Sequence, residues 1–150
     1  MARTTVNERL TVIVIYEGFQ LLDLAGPADV LRAATLLGAA RRYRIVVVSP
    51  DGRPVRSDSG IAVAPDASLA ALARNRRAID CLLVVGGLGV RQFVADAGAL
   101  AHLRRLSGRA RRTTSVCTGA LALAAAGLLD GYRATTHWAS CEQLAAQHPA

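Results

Sequence analysis

Residues 115–131 read SVCTGALALAAAGLLDG, and they place a cysteine between two runs of opposite character. Thr113, Thr114, Ser115 and Val116 suit a short buried strand, whereas Ala120 to Ala126 suits a helix. Cys117 therefore falls in the turn that joins strand to helix. A tight turn of this kind displays its side chain, and the positive end of the new helix favours a thiolate or a developing oxyanion. The competing reading is a cysteine that merely fills core space.

Outward from this stretch the chain alternates. Leu10 to Tyr16, Tyr43 to Val48 and Asp80 to Val85 are mostly apolar and read as core strands, as expected of strands buried on both faces. A helix is expected to open at Gly26-Pro27 and to run, with Val30, Leu31 and Ala34 at helical spacing, as far as Gly38. Another carries Leu100, Leu103 and Leu106 on one face. The Ser49-Pro50-Asp51-Gly52 turn precedes a short polar segment, Val55 to Val63, that suits a small hairpin or bulged edge. Arg133 to Thr135 reads as a further short strand. Strands alternating with helices predict an α/β fold: a mostly parallel sheet in a three-layer α/β/α domain.

The 150 residues, 52% hydrophobic, suffice for one domain with a sizeable core. The apolar run Leu10 to Tyr16 is too short to cross a bilayer, and no signal-peptide pattern precedes it, so a cytoplasmic protein is expected. Residues 1–9 read as a flexible leader to a domain spanning 10–150. Cys81, Cys117 and Cys141 are odd in number and far apart, which excludes a disulfide framework and suits free thiols. Cys81 and Cys141 read as buried or partly buried thiols, His102 and His148 as helix-surface residues. The net charge of +7 comes from arginine alone, since the chain has no lysine. Its arginine clusters are dispersed along the sequence, mostly near expected helix ends, where a cation complements the helix dipole. Solvated helix ends rank above a nucleic-acid surface on this reading.

In a parallel α/β sheet, ligands bind beyond the carboxyl ends of the strands. Three loops are expected there. Glu17 to Pro27 brings Asp23, a carboxylate among Leu21, Leu22 and Leu24 that is costly to bury without a partner, or else a turn or capping residue. Gly86 to Val90 brings a glycine turn, Gly86-Gly87 with Leu88, whose NH groups are expected to bind an oxyanion together with the NH of Thr118. Its spacing is not that of a dinucleotide or Walker loop. The turn at Cys117 brings the thiol. His137 follows as a possible base toward Cys117 or as a hydrogen-bonded histidine opening the last helix, with Trp138 suited to walling a pocket. His137 and Cys141 lie four apart, but without a second close pair no metal site is assigned, and no cofactor is implied.

The segments LLDLAGPADVL, VVGGLG and SVCTGALALAAAGLLDGYRATTHW together resemble the ThiJ/PfpI superfamily, with its class I glutamine amidotransferase-like fold. More narrowly they are similar to the N-terminal domain of AraC-family transcriptional regulators. The resemblance implies a flavodoxin-like doubly wound sheet, Cys117 at the turn with the Asp23 carboxylate approaching it, and a sensor of small metabolites. In such regulators a separate C-terminal helix-turn-helix module binds DNA; no such motif is read in this chain. The resemblance also implies a homodimer and a domain that stops before its last strand and helix. Isonitrile hydratases of the superfamily share the aspartate and the Cys-Thr pair, so a hydratase using Cys117, Asp23 and Thr118 is the alternative. The peptidase-like branch has histidine after its cysteine, and Thr118 at that position argues against proteolysis.

Overall fold

The computed structural model describes residues 8–149. Its centre is a five-stranded sheet built from β1 (Glu8–Val14), β2 (Arg42–Ser49), β5 (Ala67–Ser68), β6 (Ile79–Val84) and β7 (Ala110–Ser115). The order across the sheet is β5-β2-β1-β6-β7, and every pairing is parallel. In the central strand Val12, Ile13 and Val14 are fully buried, which is why that segment reads apolar without alternation. The short β3 (Val55–Arg56) and β4 (Ala62–Val63) form the expected hairpin beside the sheet.

Helices α1 (Leu21–Leu36), α2 (Leu69–Arg74), α3 (Val90–Val94), α4 (Ala97–Ser107), α5 (Gly119–Ala125) and α6 (Cys141–Gln147) complete the α/β fold. Right-handed crossovers put α1 on one face of the sheet and α2 with α4 on the other. Leu100, Leu103 and Leu106 are buried, as their spacing predicts.

Several expectations are corrected. The first helix opens at Leu21, not at Gly26-Pro27, so Asp23 sits in its first turn and Pro27 lies inside it. Proline has no NH to offer the Asp23 carbonyl. That first turn is held instead from outside, because the Gly86 carbonyl accepts from the Gln20 NH at 2.8 Å and the Gly86 NH donates to Asp23 Oδ2 at 2.9 Å. A tertiary anchor thus overrides the local proline signal. Arg133 to Thr135 forms no strand; these residues lie exposed in an irregular segment. The strand before Cys117 is half-buried rather than buried, because β7 pairs only with β6 and lies at the sheet edge among the described residues. Cys141 is exposed, whereas Cys81 is half-buried. Of the expected leader, residues 1–7 lie outside the described residues, and Glu8 and Arg9 already belong to β1.

The parallel topology also sorts charge. Crossover helices run back against the strands, so strand amino ends and helix carboxyl ends share one pole of the domain. Arg42 and Arg44 in β2, Arg111 and Arg112 in β7, Arg76 and Arg77 just before β6, and Arg104 and Arg105 in the last turn of α4 all collect there. Clusters dispersed along the sequence are gathered in space. At the opposite pole stand Glu17, Asp23, Asp51, Asp58 and Asp96.

Candidate functional site

Cys117 adopts φ +53° in the turn between β7 and α5, and it is the only non-glycine residue at positive φ among those described. A left-handed conformation costs an L-residue about 1–2 kcal/mol, so the surroundings must hold it. They do so from both sides. Val116 NH donates to the Val84 carbonyl at 3.0 Å and Gly119 NH to the Val116 carbonyl at 2.9 Å, while the Thr136 hydroxyl donates to the Cys117 carbonyl at 2.9 Å. The start of α5 rests directly on β6: a Cβ at Gly119 would drive into the Val84 carbonyl oxygen and lie 2.8 Å from that of Val85.

Asp23 and Thr118 meet the thiol turn through the glycine loop. A Cβ at Gly86 would lie 2.7 Å from both Cys117 Cβ and the Thr118 nitrogen and 2.9 Å from Asp23 Oδ2, so only glycine lets the three segments converge. Gly87 NH donates to Thr118 Oγ1 at 3.0 Å, and the Thr118 hydroxyl reaches the Gly87 carbonyl at 3.3 Å. These contacts revise the expected oxyanion site, because the Gly86 and Gly87 amides are already engaged by Asp23 and Thr118. Within the glycine loop 86–90 and the thiol turn 116–119, the amides left without a protein acceptor among the described residues are those of Leu88, Cys117 and Thr118.

Asp23 is buried, only 8% exposed as a residue. Burial pushes it above the usual carboxylate range and the Asp58 charge adds to this, whereas the Gly86 NH and the His137 ring oppose it. Tyr16 stands close by, its hydroxyl donating to the Val85 carbonyl at 2.8 Å and its ring stacked on Phe93 at 4.6 Å. Burial, then the Asp23 and Cys117 charges, push this phenol far above its ordinary range. Asp58 arrives on the hairpin turn, tied to the site loop by its NH to the Phe19 carbonyl at 2.8 Å. Neither Tyr16 nor Asp58 is recognisable as a site residue in the sequence. Tyr16 reads as the end of an apolar strand and Asp58 as part of a polar turn, and only strand pairing brings them in.

The loops are stitched together by backbone hydrogen bonds. Gly89 NH donates to the Gly18 carbonyl at 3.0 Å, and Gly18 NH to the Arg56 carbonyl at 2.8 Å. With the Gln20–Gly86 and Asp58–Phe19 bonds, three separate segments are joined around Asp23.

His137 reaches the site electrostatically but forms no hydrogen bond to the Cys117 thiol; its Nδ1 accepts the Ala139 NH at 3.3 Å, capping the short 3-10 turn Trp138–Ser140 that leads into α6. Trp138 is 83% exposed, its ring 5.3 Å from that of His137, and Leu88 is 84% exposed at the glycine loop. Neither walls an enclosed pocket in this structure. A separate open hollow of about 510 Å³ lies between α5 and α6, bordered by Ala124, Leu129, Tyr132 and Leu144, and it does not touch Asp23, Gly86 or Cys117. Among the described residues no three His, Cys, Asp or Glu side chains are grouped to hold a metal ion, and no helix is long and apolar enough to cross a membrane.

Sequence comparison matches residues 9–149 to the DJ-1/PfpI family. The chain belongs to the DJ-1/PfpI family. Among relatives of this DJ-1/PfpI domain, an uncharacterized protein in the cpoL 5' region of Streptomyces lividans is 43% identical over 145 residues, 97% of this chain and 99% of that one. The HTH-type transcriptional regulator GbdR of Pseudomonas aeruginosa is 38% identical over 144 residues, 96% of this chain but 37% of the regulator. Isonitrile hydratase of Pseudomonas putida is 38% identical over 126 residues, 84% of this chain and 51% of the enzyme. A crystal structure of a ThiJ/PfpI family protein from Pseudomonas syringae superimposes with a TM-score of 0.78 at 34% identity, covering 98% of this chain and 58% of that one. The DJ-1/PfpI chain thus spans about a third to a half of the named regulator and enzyme.

Proposed function

We propose that this domain is the small-molecule-sensing part of an AraC-type transcriptional regulator, with DNA bound by a separate module. The observation that carries this reading is the state of the thiol. Cys117 is held at the turn, yet among the described residues its sulfur has no hydrogen-bonded base: His137 caps its own turn, Asp23 is engaged by Gly86, and Thr118 is engaged by Gly87. Nucleophilic catalysis calls for a base within hydrogen-bond reach of the nucleophile, whereas a sensor needs complementarity alone. The likeness to GbdR along 96% of the chain supports the same reading. The ligand is a small metabolite seated among Asp23, Leu88, Cys117, Thr118, His137 and Trp138, where the free amides of the glycine loop and the thiol turn are its hydrogen-bond donors.

A second reading is kept for one observation. Asp23, Cys117 and Thr118 converge here as a cysteine-dependent isonitrile hydratase would require, and the chain resembles such an enzyme. In that chemistry Cys117 attacks the isonitrile carbon and Asp23 handles the proton.

One experiment separates the two. The purified chain and its Cys117→Ala variant are assayed for loss of an isonitrile and, by thermal shift, with a panel of amino acids and small quaternary amines. The sensor reading expects no turnover and a raised melting temperature that survives the substitution, because a ligand that binds only the folded state stabilises it. Multiple turnover that vanishes in Cys117→Ala replaces the sensor with the hydratase.

A further inference from the structure

In a trans peptide unit the N–H points away from the carbonyl to which it is joined, so whatever grips that carbonyl sets the direction of the amide. The three free amides of the candidate site differ in this respect. The Gly87 carbonyl, joined to the Leu88 NH, accepts from the Val90 NH and the Thr118 hydroxyl, both at 3.3 Å. The Val116 carbonyl, joined to the Cys117 NH, accepts from the Gly119 NH at 2.9 Å. The Cys117 carbonyl, joined to the Thr118 NH, accepts from the Thr136 hydroxyl at 2.9 Å and from no backbone amide among the described residues. Two of the three amides are therefore aimed by neighbours along the chain. The Thr118 amide alone depends on a side chain, 19 residues away.

The cause lies in the turn itself. Because Cys117 is left-handed at φ +53°, its carbonyl falls out of step with the helix that follows, and no amide of α5 takes it. Thr136 supplies the missing donor from outside. It is half-buried at the end of the exposed segment 131–135, and the start of α6 holds its backbone, with the Cys141 thiol 3.8 Å from the Thr136 carbonyl and 3.6 Å from that of His137. Threonine is branched at Cβ and stiff at χ1, so a backbone fixed there delivers the hydroxyl in one direction. Donation to a carbonyl also strengthens the N–H of the same peptide unit as a donor, because hydrogen bonds in a chain polarise one another.

We propose that Thr136 is a positioning residue of the candidate site: through the Cys117 carbonyl, its hydroxyl aims the Thr118 amide at an oxygen atom of a ligand seated beside the thiol. This rests on the reading that the free amides are the donors of the site, and it holds for a sensor and for a hydratase alike.

The test needs no natural ligand. The whole chain is treated with iodoacetate or with iodoacetamide in 0.5 M salt, where charges more than roughly 4 Å apart are largely screened, and mass spectrometry gives the rate at Cys117 for each. In both reactions the Cys117 sulfur bonds to the methylene carbon of the probe, iodide leaves with the bonding pair, and the thiol proton passes to solvent. The probes differ in carrying a carboxylate or an amide. The ratio of their rates, taken relative to N-acetylcysteine in the same solution, therefore reads the amide donors and not the exposure of the thiol. In the parent this relative ratio should favour iodoacetate by about tenfold, since hydrogen bonds to an ionised acceptor are the strong ones. Thr136→Val, which keeps the shape and loses the hydroxyl, should lower it about threefold, the effect of one weakened hydrogen bond. Thr136→Ser should restore most of the loss. Thr135→Val, which removes a hydroxyl 3.8 Å from the Cys141 thiol instead, should leave the ratio unchanged. In nuclear magnetic resonance spectra the Thr118 amide proton should shift in Thr136→Val and return in Thr136→Ser. A parent ratio equal to that of N-acetylcysteine would overturn the donor reading, and the inference with it. A raised parent ratio that Thr136→Val leaves unchanged, or that Thr135→Val lowers equally, would overturn the role of Thr136 alone.

Discussion

At Cys117 a side chain is kept where glycine would fit more easily. Replacing it by glycine relieves about 1–2 kcal/mol of left-handed strain and adds roughly 0.5–1 kcal/mol of unfolded-state entropy. Cys117→Gly should therefore melt at the same temperature as the parent or slightly above it, while Cys117→Val, branched at Cβ, should melt lower. A thermal denaturation series checks both, and a large loss in the glycine variant would mean that the turn is not strained. Asp23 makes a prediction of its own. Its folded-state carboxyl holds its proton to higher pH than the unfolded value of 3.8, so the stability it contributes is complete below that value and is lost as pH rises through the folded value. Asp23→Asn should flatten that decline, seen as a smaller change in denaturation midpoint between pH 4 and pH 7. The meeting of Asp23, Thr118 and Cys117 was legible because an acidic residue among leucines and a cysteine between strand-like and helix-like runs are local anomalies. The use to which Gly86 and Gly87 put their amides was not, since those partners lie 63 and 31 residues away.

Elements buried on both faces announce themselves, and those held by distant partners do not. β1, β2 and β6 are readable from their apolar stretches Val12 to Val14, Ile45 to Val48 and Cys81 to Val84, and α4 from its leucine stripe. The six-residue α2 is too short for a period to emerge, and its one local signal is the Ser68 hydroxyl accepting the Ala71 NH at 3.0 Å. Ser68→Ala should cost about 1 kcal/mol, the usual worth of such a cap, measured by chemical denaturation. The start of α1 at Leu21 is hidden for the converse reason, because Pro27 is a strong local signal and the Gly86 anchor a remote one. Arg133 to Thr135 offers one β-branched residue, Thr135, but no neighbouring strand to pair with among the described residues, and a strand exists only in a ladder. The contact between α5 and β6 yields a sharper test. Gly119→Ala would press a methyl group onto the backbone of β6, and overpacking of this kind costs about 1–3 kcal/mol or more. A small effect would show that α5 can lift away from the sheet.

For the molecule as a whole, a parallel sheet turns sequence position into polarity. Arg42, Arg44, Arg76, Arg77, Arg104, Arg105, Arg111 and Arg112 gather at one end and Glu17, Asp23, Asp51, Asp58 and Asp96 at the other, a sorting invisible until strand direction is known. Asp80 ties the basic end together and titrates in the opposite sense to Asp23. The Arg111 hydrogen bond, and then the charges of Arg111, Arg9 and Arg112, hold its carboxyl below the usual range. Its contribution is present above 3.8 and lost as pH falls through the lower folded value. At the other end, the backbone bonds that stitch Gly18, Phe19, Gln20, Arg56, Asp58, Gly86 and Gly89 have a dynamic consequence. Those amides should exchange their hydrogens with solvent in concert and slowly, as one cooperative unit, instead of with the independent fast rates of surface loops. A ligand arriving there would meet a site already set, and would bind without the heat-capacity change that accompanies the folding of a disordered loop.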